Sequence, residues 1–276
     1  MPKIKDLEDR VHSKTSAWEQ MFLETQQLSS SDEYPNNKGV NLASMIFDET
    51  PQSEIIAAYD LNNEIYKIAP REDILTEMKE FYLKNGIAAP FAVRVVYLIL
   101  NHPDFGIYVL QRSNKSENPY HWSVSVGGHE IYGEDSNTAI KRETLEEIQI
   151  PINIVSKQEY ERLISSDINL DESGIVTYAG YLPNLELTKK DRDTGRIWIK
   201  KVNATVYIGR SRKVNFKFNN DFDYLLNKDL EVNGLQKEVN GIEFDPKDEL
   251  LIKIQKKTKD YGFELQYLIK QFYDLL

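Results

Sequence analysis

The alternation of apolar and polar positions divides the chain into a helical start, a polar break and a long region of strands and helices. Over residues 3–28, Ile4, Leu7, Val11, Trp18, Met21, Phe22 and Leu28 recur at helical intervals between charges, which predicts an amphipathic helix or helical pair. Its apolar face is expected to pack on the rest of the chain or on a second copy of it, a homodimer. Residues 30–39 read as a linker by composition. Residues 40–56 hold a short apolar stretch, Val40 to Phe47, to which no role is assigned.

From Tyr59 the pattern turns regular. A turn signal at Asn62-Asn63 between two short apolar runs predicts a hairpin leading to a helix. Val93 to Leu100 is continuous, apolar and rich in β-branched residues, as a strand buried on both faces should be. NHPDFG is a turn, Ile107 to Arg112 is expected to pair back, and a short strand then runs into Gly127-Gly128 and a loop before a helix. Further on, EYERLI reads as helix, Gly174 to Leu182 as strand, Thr188 to Gly195 as a charged turn and VNATVYIGR as strand. Residues 212–240 look like loops and short helices around FKFNNDFDYLL. GIEF with DPKDELLIKI predicts a last strand and helix turn, and FELQYLIKQFYDLL a terminal amphipathic helix.

One stretch carries chemistry, GHEIYGEDSNTAIKRETLEEIQI from Gly128 to Ile150. Glu143, Glu146 and Glu147 stand at i, i+3 and i+4, so a helix projects them from one side. Each like-charge pair costs an isolated helix roughly 0.2–0.5 kcal/mol, which asks for a compensating cation or a solvated face. Carboxylate oxygens suit a hard ion, Mg²⁺ or Mn²⁺. Leu145 and Ile148, on the opposite side, are expected to dock the helix on a core, and Asp135, Ser136 and Asn137 offer three N-caps.

The 276 residues, 41% hydrophobic, suffice for one large core with an appendage. A net charge of −10 argues against a nucleic-acid surface, which needs a basic patch. With no cysteine, disulfides, thiolate nucleophiles and thiolate zinc sites are excluded. No apolar run approaches the ~20 residues of a membrane span, and MPKIKDLEDR lacks a signal-peptide core, so a cytoplasmic location without a membrane partner is expected.

The same stretch resembles the Nudix box of diphosphate hydrolases, G-x5-E-x7-R-E-U-x-E-E-x-G-U. Gly128, Glu134, Arg142, Glu143, Glu146, Glu147 and Ile150 fall in register; Thr144 replaces an aliphatic residue and Gln149 the glycine that turns the chain out of the helix. Gln149 is therefore expected to end the helix differently. The resemblance implies an α/β fold, a Nudix-type α/β/α sandwich with a mixed sheet over residues 57–276, with insertions at about 156–198 and 212–240 and a helical N-terminal extension over 1–56.

It also implies metal binding by Glu143, Glu146, Glu147 and Glu134, catalysis by Glu146 and Glu143 with Arg142 holding the glutamates in place, and substrate contacts from Arg112, Trp122, Gly127 and Gly128. The expected partner is a small-molecule diphosphate, probed at its other end by the aromatic-rich loops. Tyr120, Trp122 and Trp198 could stack a base, although core packing is the commoner use. Glu186, Asp193 and Glu243 are unranked general bases. Lys189, Lys190, Arg192, Arg196, Lys200 and Lys201 form a local basic excess, solvated by default or suited to phosphates.

Details around Arg112, Ser113, Lys115, Pro119, Trp122, Ser125 and His129 resemble the branch that contains the isopentenyl diphosphate isomerases. Those enzymes carry a cysteine two residues before the histidine that matches His129, where this chain has Gly127, and a Glu-x-Glu pair where Lys200, Lys201, Val202 and Asn203 stand. A proton shift needs groups that give and take protons on both faces of an alkene, so isomerase activity is not expected. His129 is read as a loop histidine shaping the pocket, with metal ligation as the alternative. A nucleotide-sensing module acting through the N-terminal helix, and a structural protein with a relic site, are the alternatives to a hydrolase.

Overall fold

The structure, a computed structural model, describes residues 54–112, 118–166, 170–191, 193–213 and 239–276. The helix expected over 3–28, the linker at 30–39, FKFNNDFDYLL, Ser113, Lys115 and Arg192 lie outside the described residues. Ile55 to Leu276 form one compact unit.

Strands β1 (Ile55–Asp60) and β2 (Ile65–Pro70) make the expected hairpin, with Asn63 at φ +64° in its turn. Asp60 stabilises that turn by accepting the backbone N–H groups of Asn62 and Glu64. Helix α1 (Arg71–Asn85) follows, with Glu72 and Asp73 placed to complement its positive N-terminal end and Gly86 at φ +70° closing the other.

The organising strand is β3 (Phe91–His102). Val93, Val95, Tyr97 and Ile99 point into one apolar cluster, and Val96, Leu98 and Leu100 into another on the opposite face. That is why the run is apolar without a break: both faces are covered. The first cluster packs against α1 and against two C-terminal helices, α4 (Lys247–Gln255) and α5 (Phe263–Gln271); the second packs against α2 (Ser136–Ile148). Between them come β7 (Ile152–Ile154), α3 (Lys157–Ile164), β8 (Gly174–Lys190) and β9 (Ile197–Arg210). Strand β8 runs on through Thr188, Lys189 and Lys190, the first residues of the expected charged turn, before the chain returns as β9.

One edge of β3 pairs with β9 in parallel, from Val93 with Val202 to Asn101 with Arg210. The other edge is shared by three antiparallel strands in turn: β1 at Phe91–Val93, β6 (Val126–His129) at Val95–Leu98, and β4 (Gly106–Arg112) at Asn101–His102 only. Beyond that point β4 swings away and pairs with the short β5 (Trp122–Ser123), while its opposite edge pairs with β10 (Val239–Asp245) from Ile107 to Arg112. The fork is bridged by the buried Ser125, whose hydroxyl accepts from Leu100 N–H at 2.8 Å and donates to the Tyr108 carbonyl at 2.8 Å. One side chain thus replaces the ladder bonds that the parting strands give up.

The sheet is mixed, with helices on both faces, as expected of the α/β sandwich. No helix among the described residues is long and apolar enough to cross a membrane.

Candidate active site

The fork between β4 and β6 leaves a small open cleft lined by Leu110, Gln111, Arg112, Ser123, Val124, Gly127 and Glu147. Strand, loop and helix each deliver part of this wall. Helix α2 begins at Asp135, whose carboxylate accepts the Thr138 N–H at 2.7 Å, so of the three caps offered by the sequence the first is used.

The docking face of α2 differs from expectation. Ile148 is buried, but Leu145 is half exposed, and the buried face consists of Ala139, Ile140, Glu143, Thr144 and Ile148. Glu143 therefore turns inward with the apolar residues. Gly128 makes room for it: a Cβ at that position would lie 1.9 Å from the Glu143 carboxylate. Thr144 packs fully buried and spends its hydroxyl on the Ile140 carbonyl. Gln149 does not divert the helix end. It takes the left-handed conformation at φ +55° and its N–H bonds the Leu145 carbonyl, the ending that glycine would supply, at a cost of roughly 1–2 kcal/mol for a residue with a Cβ.

Arg142 gathers the other carboxylates. Its Nε and Nη2 donate to the two oxygens of Glu134 at 3.0 and 2.9 Å, and Nη1 donates to Glu143 at 2.8 Å and Glu146 at 3.0 Å. Nη2 also reaches the His129 carbonyl at 2.8 Å, tying helix to strand. Burial opposes the charge of this guanidinium, but Glu134, Glu143 and Glu146 outweigh it and raise its pKa, so Arg142 is a fixed cation. Glu147 accepts the Gly127 N–H at 3.0 Å and lines the cleft with Arg112. No group of three or more His, Asp or Glu side chains among the described residues is converged on one point as a metal cage.

The remaining expected residues fall into place around this core. The Trp122 ring is buried, with the Lys259 ammonium 4.5 Å from its centroid, and Trp198 is buried too; only Tyr120 is exposed. Both tryptophans thus serve in packing. Glu243 is ion-paired with Lys259, Glu186 faces Lys201 at 3.9 Å, and Asp193 sits in the turn after β8; none of the three lines the cleft. His129 lies 2.7 Å from the buried Lys200 ammonium through Nε2. Burial first, then the charges of Lys200, Arg71, Lys189 and Arg142, push its pKa well below the usual value, so the ring is neutral.

At Gly127 an added Cβ would come within 2.7 Å of the Tyr97 ring, so the isomerase cysteine would displace that ring. Of the basic excess, Lys189 and Lys200 are buried and partnered, by Glu264 and His129. Glu264, at the start of α5, is the charged group that the sequence did not flag. It is 2% exposed and lies behind the cleft floor, 3.4 Å from the Ser123 hydroxyl. Those two residues stand 141 positions apart, and no local spacing links them.

A sequence profile of the NUDIX domain matches residues 90–193. No curated protein matches the chain. Among solved structures, DR0079 from Deinococcus radiodurans is 19% identical, covering 80% of this chain and 99% of its own, with a TM-score of 0.45. The MutT protein of Methanosarcina mazei Go1 is 15% identical over 67% of this chain and 94% of its own, at a TM-score of 0.39. The NUDIX domain of Shewanella oneidensis NrtR, solved with ADP ribose, is 13% identical over 71% and 97%, at 0.38. The matched segment contains the whole set from Gly127 to Glu147, and a match to this domain model supports a hydrolase acting on diphosphate bonds.

Proposed function

We propose that this protein is a divalent-metal-dependent hydrolase that cleaves the diphosphate linkage of an X-diphosphate, X being a nucleoside or nucleoside derivative. The observation that carries the reading is the Arg142 network: one partly buried guanidinium holds Glu134, Glu143 and Glu146 together, while Glu147 and Arg112 line the cleft wall.

The donors fit a hard cation. All are carboxylate oxygens, and Gly128 leaves the space that the Glu143 carboxylate fills. Glu143, Glu146 and Glu147, with Glu134 acting through water, would hold Mg²⁺ or Mn²⁺. When bound, such an ion neutralises diphosphate charge and lowers the pKa of water. The chain itself supplies orientation. Arg142 fixes the carboxylates, Gly127 fixes Glu147 through its N–H, and Arg112 offers a planar pair of donors to a phosphate oxygen. The displacement of one phosphate from the other by water gives two monophosphate-type products.

The test is turnover of nucleoside diphosphate derivatives, dinucleotides, nucleoside triphosphates and prenyl diphosphates with Mg²⁺ or Mn²⁺, wild type beside Glu146→Gln. Glu146 is half exposed, so the variant should fold. Activity on a nucleotide that disappears in the variant supports the hydrolase. Tight nucleotide binding in a thermal-shift assay with no turnover of any substrate would instead mark a sensing module.

A further inference from the structure

We propose that Glu264 is a positioning residue that fixes Ser123 as a hydrogen-bond acceptor in the cleft, selecting an X whose sugar hydroxyl lies next to the diphosphate. The inference rests on the hydrolase reading of the same cleft and names the chemistry of its second end.

Ser123 is the only hydroxyl among the cleft-lining side chains. Its Oγ donates to Glu264 Oε1 at 3.4 Å, and the Lys189 ammonium, itself buried, donates to that same oxygen at 3.5 Å. A hydroxyl has one proton and two lone pairs, and an ionised carboxylate only accepts. With its proton turned back to Glu264, Ser123 presents lone pairs alone to the cleft. Phosphate oxygens are acceptors as well, so Ser123 has nothing to give them; that task falls to Arg112. A ligand must bring its own donor to Ser123. A sugar attached to the diphosphate carries hydroxyls at that distance, whereas a hydrocarbon chain carries none.

The Glu264 carboxylate is incompletely satisfied where it stands. Its second oxygen, Oε2, is buried and has no hydrogen-bond partner, so its burial is offset only in part by the contacts of Oε1. The backbone around it is firmly held: Trp122 N–H bonds the Asp260 carbonyl at 2.8 Å and Gly262 N–H bonds the Trp122 carbonyl at 2.7 Å, so the start of α5 is fixed against β5. The carboxylate is thus delivered to Ser123 by a rigid frame. Burial works against its charge, but Lys189 and Arg112 keep it ionised.

Steady-state kinetics on a nucleoside diphosphate sugar test this, with the Ki of methylene diphosphonate, which has no X, as the control. Ser123→Ala should raise KM about fivefold to tenfold, the weight of one hydrogen bond, with kcat and the Ki within about twofold. Glu264→Gln should raise KM in the same way, and Ser123→Ala/Glu264→Gln should be no worse than Ser123→Ala alone, because both remove one interaction. If Glu264→Gln does not fold, Lys189→Met/Glu264→Met removes both charges while keeping apolar bulk, and should show the same KM effect. Unchanged KM in folded variants, a parallel rise in the Ki, or a fall in kcat alone would overturn the inference and leave the hydrolase standing. A wild type that turns over no diphosphate would overturn the hydrolase reading and this inference with it.

Discussion

Gly128 and Glu143 occupy the same small volume: the carboxylate sits where a Cβ on residue 128 would have to go, 1.9 Å away. Gly128→Ala should therefore expel Glu143 from beside the strand and from Arg142. Displacement of a catalytic group by about 1 Å can cost on the order of 100-fold. We expect a loss of that size in kcat with Mg²⁺, with the fold retained by circular dichroism; an alanine variant of full activity would contradict the placement of Glu143.

Arg142 acts through geometry as much as through charge. Arg142→Lys keeps the positive charge but cannot donate to both Glu134 oxygens, to Glu143 and to Glu146 together. The expected result is a kcat reduced by at least about tenfold, with a diphosphate inhibitor still bound. Equal kcat in the two proteins would show that a point charge suffices.

Ser125→Ala removes the bridge at the fork and leaves the Leu100 N–H and the Tyr108 carbonyl without it. Each buried group left unsatisfied costs about 1–3 kcal/mol. Urea denaturation should show a destabilisation of at least about 2 kcal/mol, and a midpoint equal to wild type would mean that other groups take over these bonds.

Gln149→Gly runs the other way. Glycine adopts φ +55° without a Cβ penalty, and its greater unfolded freedom offsets part of the gain. A net stabilisation of about 0.5–1 kcal/mol is expected, read as a raised Tm.

Among the groups whose pKa values are shifted, His129 and Glu264 each make stability depend on acidity. His129 has a folded pKa well below its unfolded value of 6.5. Above pH 6.5 neither state is protonated and nothing is lost; below it the unfolded chain takes up a proton that the folded chain refuses, so stability falls with pH. Glu264 has its folded pKa lowered to about 2 from 4.5: burial opposes the shift, and Lys189 and Arg112 bring it about. Its contribution is complete above pH 4.5 and disappears as pH falls to about 2. Melting temperatures from pH 7.5 to 5 should decline in wild type and decline less in His129→Gln, and an identical slope in the two would exclude His129 as the source.

Short-range pattern made most of the elements legible. The β1–β2 hairpin, β3, the return to β4, the box helix and the last strand and helices each declare themselves within a window of about ten residues, where periodicity and turn chemistry decide. The Leu145 expectation failed for a related reason. Period alone separates two faces of a helix but does not say which one is turned to the sheet, and Gly128 made the face with Glu143 the better fit.

The sequence by itself determined the chemical set: seven residues of the box in register, no thiols, and carboxylates on one helix, because spacing along a helix is a local property. Only the tertiary structure decided what these residues face. The fork at Ser125 opens the cleft, Arg142 gathers Glu134 from outside its own helix, and α5 carries Glu264 to Ser123 across 141 positions. Pairings of that kind arise from which strand edge each segment finds once the core has closed, and residues so far apart leave no pattern along the chain.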